Sequence, residues 1–146
     1  MPTLTGIAYK DKKRGPMHEL DSVKVTLESG VANDIFGRPG KRQVTLLSSA
    51  QWQQACSEIA QDLNWLTRRA NLLVDGYQFS AADVGKTVRI GAQLQLEITG
   101  ETDPCAKMEQ AVAGLEAALT PEWRGGVTAK VVNAGEICIK DTVSIL

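Results

Sequence analysis

Short runs of alternating apolar and polar residues dominate the chain, the period-two signature of half-buried β-strands. Val23-Lys24-Val25-Thr26-Leu27-Glu28 shows it most clearly. Thr3–Tyr9 predicts a first strand, and the β-branched run Gln43–Leu47 another. Thr87–Ile90 and Leu94–Ile98 flank Gly91-Ala92 and predict a hairpin-like pair. Val127–Val132, Glu136–Lys140 and Thr142–Ile145 complete the set, separated by turn signals at Asn133-Ala134-Gly135 and Asp141.

Two segments switch to helical spacing. Trp52, Cys56, Ile59, Ala60 and Leu63 fall on one helical face, behind a Ser48/Gln51 capping box, and predict a helix near 49–63. Asp103 as N-cap and Pro104 at N1 open a second, near 104–119, with Met108, Val112, Leu115 and Leu119 on one face. Gly114 lies inside that pattern at a cost of about 1 kcal/mol relative to Ala and marks a place for the helix to break. Many short strands with two helices predict a mixed α/β, β-rich fold, a single β-barrel domain with short helical insertions over 1–146.

Composition narrows the chemistry. Sixteen basic and seventeen acidic residues in 146 give a net charge of −1, which argues against a dedicated nucleic-acid binder. No apolar run reaches the ~18 residues of a membrane span, and the start of the chain lacks a signal-peptide core. Three cysteines (Cys56, Cys105, Cys138) cannot form a complete disulfide framework, so the expected compartment is the reducing cytoplasm. One histidine, His18, argues against histidine-rich metal sites and is the only imidazole available as a general base; it is expected in an exposed loop. There is no GxGxxG or Walker-type loop.

Cys105 stands out. With Pro104 at N1 it falls at N2, where free amides and the helix dipole favour a thiolate; Lys107 adds to this, and Glu101 and Asp103 oppose it. Such a thiolate can be a nucleophile, a persulfide carrier or a soft-metal ligand, and the plainer reading is a small buried hydrophobe. Cys56 reads as a packed core thiol. The basic runs Lys10–Arg14, Arg38/Lys41/Arg42, Arg68/Arg69 and Arg124 lie in loops; they form either independent surface charge or, where they converge, an anion pocket. Gly125-Gly126 would let the backbone approach a ligand closely.

The sequence resembles the MOSC domain, found at the C-terminus of molybdenum cofactor sulfurases and in small stand-alone proteins. The resemblance is carried, in order, by Arg14-Gly15-Pro16-Met17 into Gly30-Val31-Ala32-Asn33-Asp34, by Arg42–Leu47, by Arg68–Gly76 into Val84-Gly85, by Gly91-Ala92 into Gly100–Cys105, and by Pro121–Val127 with Gly135-Glu136-Ile137. It implies that Cys105 is the family's characteristic cysteine, carrying sulfur as a persulfide or engaging molybdenum as a metal ligand. It places Arg68, Asn71 and Arg124 near a pocket for the pterin of the molybdenum cofactor (molybdopterin). The family often has Gly-Asp where this chain has Asn33-Asp34; Asn tolerates the left-handed turn, while a functional role for Asp34 is put in doubt. No pyridoxal-phosphate-binding lysine is identifiable, so the implied sulfur donor is a separate cysteine desulfurase.

Three functions compete: a sulfur carrier or molybdenum-cofactor-handling module; a small pterin-molybdenum oxidoreductase reducing an oxidised nitrogen substrate; and a non-catalytic anion-binding barrel. The first two bring a pterin cofactor or a sulfur acceptor as partner, and none brings nucleic acid or a membrane.

Overall fold

The structure, a computed structural model, describes all residues 1–146. Eleven strands are observed: β1 (Thr3–Tyr9), β2 (His18–Leu20), β3 (Ser22–Thr26), β4 (Gly30–Val31), β5 (Val44–Ser48), β6 (Leu72–Asp75), β7 (Thr87–Ile90), β8 (Leu94–Glu101), β9 (Val127–Asn133), β10 (Gly135–Cys138) and β11 (Val143–Ile145). Three short helices accompany them: α1 (Ser49–Glu58), α2 (Ala106–Ala111) and α3 (Leu115–Leu119). None is long and apolar enough to cross a membrane.

Eight strands form one sheet in the order β11-β7-β8-β9-β5-β6-β1-β2; β10, β3 and β4 form a second. The predicted β7–β8 hairpin is present, with Thr87 opposite Glu97 and Ile90 opposite Leu94. One pair is parallel, β5 with β6, joined through α1. The expected closed barrel is corrected to a curled half-barrel. Backbone bonds from Leu4 to Asp141, Lys140 to Leu4 and Val143 to Pro2 join the ends at one corner, and the single bridge Thr3–Thr142 does not extend into a ladder.

Curling gives the sheet two buried faces. The inner face packs Leu4, Ile7, Leu46, Leu72, Ile90 and Ile98, among others, into the larger core. The outer face carries the helices: Leu47 packs with Trp52, Cys56, Met108, Leu115 and Leu119. Strand β5 is covered on both sides, so Leu46 enters one core and Leu47 the other; an unbroken apolar run is what such a strand requires. Cys56 is buried as expected, and burial pushes its thiol pKa up.

The helices are shorter than their apolar stripes. Ser48 caps α1, accepting from the Gln51 amide at 3.3 Å. The Gln51 side chain does not complete the box; it donates to the carbonyls of Phe79 and Glu122 and accepts from the Phe79 amide. The second predicted helix is two, broken at Val112–Gly114, where Gly114 takes φ +86° and starts α3. Three strands escaped prediction. β2 and β4 are too short to show a period, and β6, within Leu72-Leu73-Val74-Asp75, has a buried–intermediate–buried–exposed pattern. His18 begins β2 instead of lying in a loop; its ring stacks at 5.1 Å on Tyr9 and its Nε2 is 3.5 Å from Asp11.

A buried Asp83 fastens the turn before β7. It accepts from Tyr77 Oη at 2.5 Å, the Ser80 amide at 2.9 Å and Lys86 Nζ at 3.1 Å. Burial alone would raise its pKa, but these donors outweigh it and hold the carboxyl below its ordinary value. Burial, with Asp83 as partner, pushes Tyr77 up to about 12. The depressed Asp83 stabilises the fold at pH above the unfolded value of about 3.9, and this is lost as pH falls through its folded pKa. The raised Tyr77 has the opposite sign: its contribution is intact below about pH 10 and lost as pH rises through its folded pKa. Asp83→Asn is expected to bring Tyr77 ionisation, followed by ultraviolet absorbance, down towards ordinary tyrosine and to reduce the acid sensitivity of thermal unfolding.

Candidate functional site

The segment Gly100–Cys105 leaves the end of β8 and is clamped from beneath by Arg68. Arg68 ends a single 3-10 turn, Trp65–Arg68, which Asn64 opens by accepting the Leu66 amide through Oδ1 at 2.9 Å. Only 7% of the residue is exposed. Its Nε donates to the Gly125 carbonyl at 3.0 Å and its Nη2 to the Thr102 carbonyl at 2.8 Å. Burial pushes the guanidinium pKa down; Cys105 raises it, Arg42 lowers it and Asp103 raises it. Through the Thr102 carbonyl, Arg68 holds the segment that leads into Cys105.

Gly125 is part of this clamp. A Cβ there would stand 2.5 Å from the Thr102 carbonyl oxygen and 3.2 Å from Arg68 Nη2. The close approach expected of Gly125 towards a ligand is thus an approach to the Thr102–Pro104 segment. Nearby, the Thr102 hydroxyl is buried without a hydrogen-bond partner. Burial, then the charge and hydrogen bond of Asp103, raise the pKa of Glu101.

Cys105 itself is exposed, as is Cys138. It is the N-cap of α2, at φ −135° and ψ 178°, and its side chain makes no capping bond. The expected Asp103 N-cap and Pro104 N1 are each displaced, because α2 begins only at Ala106. What α2 does contribute is Lys107, one residue past Ala106, which lines an adjoining cleft.

That cleft gathers three basic runs separated in the sequence. One lobe, about 540 Å³, is lined by Lys10, Lys13, Arg14, Arg69 and Lys107. A second lobe, also about 540 Å³, is lined by Arg38, Lys41 and Arg42. A smaller hollow of about 120 Å³ between them has Asn71, Thr45, Met17 and Asp34 in its wall. Burial lowers the pKa of Lys10, and Arg69 and Lys107 lower it further; Asp34 alone opposes them. Asp34 is already engaged by the Lys10 amide at 3.0 Å. Asn33 takes φ +68°, the left-handed turn expected of it. Arg69 takes φ +65°, and its Nη2 bonds the Gly15 carbonyl, tying the Lys10–Arg14 loop to the Arg68 turn.

The three residues expected to share one pocket have different surroundings. Arg68 lies under the Cys105 loop. Asn71 sits in the hollow's wall, where Oδ1 accepts from the Thr45 amide at 3.0 Å and hydroxyl at 3.2 Å and Nδ2 donates to the Ala8 carbonyl at 3.1 Å. Arg124 turns to the helices: Nη1 donates to Glu58 at 2.7 Å and to the Ala118 carbonyl at 3.1 Å. The Arg124 hydrogen bond, with a second from Gln54, holds the Glu58 carboxyl below its ordinary pKa. The Arg124 guanidinium is thus engaged by Glu58 and the Ala118 carbonyl, and that of Arg68 by the Thr102 and Gly125 carbonyls. Among the cleft residues Lys10, Phe36, Arg69 and Lys107, Phe36 alone was not singled out from the sequence. The signal available was the basic run on each side of a lone Phe36, but no periodicity relates those runs.

With this geometry in place, the chain belongs to the MOSC domain family, which it matches over residues 19–144. Solved structures agree in fold. YuaD from Bacillus subtilis superposes with a TM-score of 0.82 at 17% identity, covering 98% of this chain and 94% of that one. YiiM from Geobacillus stearothermophilus gives 0.78 at 13% identity, covering 100% and 75%, and YiiM from Escherichia coli gives 0.74 at 15% identity, covering 99% and 69%. No curated protein matches the chain at a significant level.

Arg68→Ala is expected to cost about 3 kcal/mol in chemical denaturation, because it leaves two carbonyls without charged donors. Arg68→Lys recovers only part of this, since an ammonium lacks the planar fork that reaches both. Gly125→Ala should lower stability and raise the alkylation rate of Cys105 by displacing Thr102–Pro104, read by peptide mapping.

Proposed function

We propose that this MOSC-family chain handles sulfur or the molybdenum cofactor through Cys105, which carries a persulfide or engages molybdenum. The observation that supports this most is an exposed thiol two residues from Lys107, which with Lys10, Lys13, Arg14 and Arg69 lines the adjoining cleft. The residues suit a pterin cofactor: a group of cations for its phosphate, and one soft donor for a metal the pterin already holds. No three His, Cys, Asp or Glu side chains gather as a metal-binding group, so Cys105 would add a ligand to a chelated metal rather than help build a cage. When bound, such a cofactor supplies a redox-active metal; Lys10, Arg69 and Lys107 would hold its phosphate and Cys105 its metal. Arg124, engaged by Glu58, acts in this reading by fixing α3 against α1 instead of by binding the cofactor.

In the sulfur-carrier arm, the Cys105 thiolate attacks the terminal sulfur of a donor persulfide, as a cysteine desulfurase would present. One S–S bond forms on Cys105, the donor's S–S bond breaks, and the donor cysteine leaves as a thiolate. Delivery reverses the roles: an acceptor nucleophile takes the outer sulfur and Cys105 leaves as thiolate. A second reading, anion binding without chemistry, is favoured by the cleft itself, since its charges do not depend on the thiol.

Protein exposed to a persulfide donor and then to cyanide is expected to release thiocyanate, with mass spectrometry showing sulfur's ~32 Da on the Cys105 peptide. Cys105→Ser should abolish both, and Cys138→Ser neither. Thiocyanate release that survives Cys105→Ser rules out the carrier role. Molybdenum retained by native protein from a cofactor-producing host and lost from Cys105→Ser identifies the metal arm.

A further inference from the structure

The cationic cleft is organised around one exposed aromatic ring. Phe36 is 52% exposed and borders both large lobes and the hollow between them. Its position is built. Gly37, next to it, packs so closely that a Cβ would overlap the Ser29 carbonyl oxygen. The buried Gln43 donates to the Gly37 carbonyl at 3.1 Å and the Leu27 carbonyl at 2.8 Å, and accepts from the Val131 amide at 2.8 Å. Lys10 Nζ stands 4.9 Å from the ring centroid. Lys10 lies over one face of the ring, and the exposed remainder offers a stacking surface.

Charge is divided on either side of it. Lys13, Arg14, Arg69 and Lys107 line one lobe, Arg38 and Lys41 the other. The only carboxylate in the three linings is Asp34, and the Lys10 amide engages it. One phosphate can be satisfied by two or three of these cations. Two groups of uncompensated cations, separated by an aromatic ring, match two separate phosphates on one flat molecule.

We propose that the cleft binds a heteroaromatic ligand carrying two separate phosphate groups, its ring against Phe36 and one phosphate in each lobe. This deepens the cofactor-handling reading by adding a second anion subsite, and rests on that reading for the location of the site, not for the chemistry of Cys105. Each lobe is of small-ligand size, and the two are joined through shared lining residues.

Calorimetric titration of the full chain at fixed low salt, with inorganic phosphate, AMP and adenosine 3′,5′-bisphosphate, tests the proposal. The bisphosphate is expected to bind at least about tenfold tighter than AMP, because its second phosphate binds intramolecularly. Arg38 and Lys41 are exposed, so their removal leaves the core intact. The double variant Arg38→Ala/Lys41→Ala should erase the bisphosphate's advantage over AMP. Phe36→Leu should weaken both nucleotides and leave inorganic phosphate unchanged. Equal affinity of AMP and bisphosphate for the native chain, or an advantage that survives the double variant, overturns the second subsite. Phosphate binding without any gain from the heterocycle overturns the stacking role of Phe36. No sulfur donor is present, so the outcome is independent of thiocyanate release.

Discussion

A buried guanidinium with only backbone partners is the constraint on which the site depends. Arg68 gives up much of its hydration, and the Thr102 and Gly125 carbonyls replace it. A buried charge with such partners is expensive to disturb, so the two carbonyls are held where its fork can reach them. One belongs to the strand-to-helix segment ending at Cys105, the other to the turn entering β9. Gly125 lets these segments meet, since any side chain there would strike Thr102. The segment leading to the thiol is held by this buried charge and by the bond from the Thr102 amide to the Gly126 carbonyl, ahead of the start of α2. With only six residues, that helix is too short to impose a geometry of its own.

Beneath the clamp, the layered core sets the register. β5 is buried on both faces and lies between β6 and β9. Its partner β6 follows directly from the Trp65–Arg68 turn and Asn71, whose side-chain amide joins Thr45 of β5 to Ala8 of β1. A one-residue slip of β5 would exchange Leu46 and Leu47 between the cores and part Thr45 from Asn71. The Arg124–Glu58 pair extends the arrangement outward by fixing α3 against α1. Its Glu58 partner is exposed, so it orients the helices more than it stabilises them.

The regular parts of this arrangement were legible in the sequence. Period-two runs located β1, β3, β5, β7, β8, β9, β10 and β11 to within a few residues, and Ser48 announced α1. Closure of the barrel was not legible, because it depends on a corner at Thr3 and Thr142 that makes one bridge and no periodic pattern. Within the site, the family motifs drew attention to Cys105, Arg68, Asn71 and Arg124. What they could not convey was the direction of each side chain. Arg124 and Arg68 are both buried arginines beside glycine-bearing turns, yet one meets a carboxylate on α1 and the other two carbonyls in the loop preceding Cys105 and at Gly125. Asp103-Pro104 looked like a helix start by local chemistry. Arg68 holds the Thr102 carbonyl just upstream, and α2 begins only at Ala106.

Net charge was the least informative number. A chain at −1 shows no sign of an anion site, yet eight of its sixteen basic residues line one connected cleft: Lys10, Lys13, Arg14 and Arg38, with Lys41, Arg42, Arg69 and Lys107. At physiological ionic strength, charges are screened beyond about 8 Å, so a ligand at the cleft responds to these cations and hardly to acidic residues on other faces. Lys107 of the cleft lies two residues from Cys105. Anion capture and thiol chemistry are thereby adjacent but separable. The first relies on surface cations around Phe36, the second on a loop held in part by one buried charge. A member of this fold could lose either one and keep the other, because no side-chain hydrogen bond joins Cys105 to the cleft.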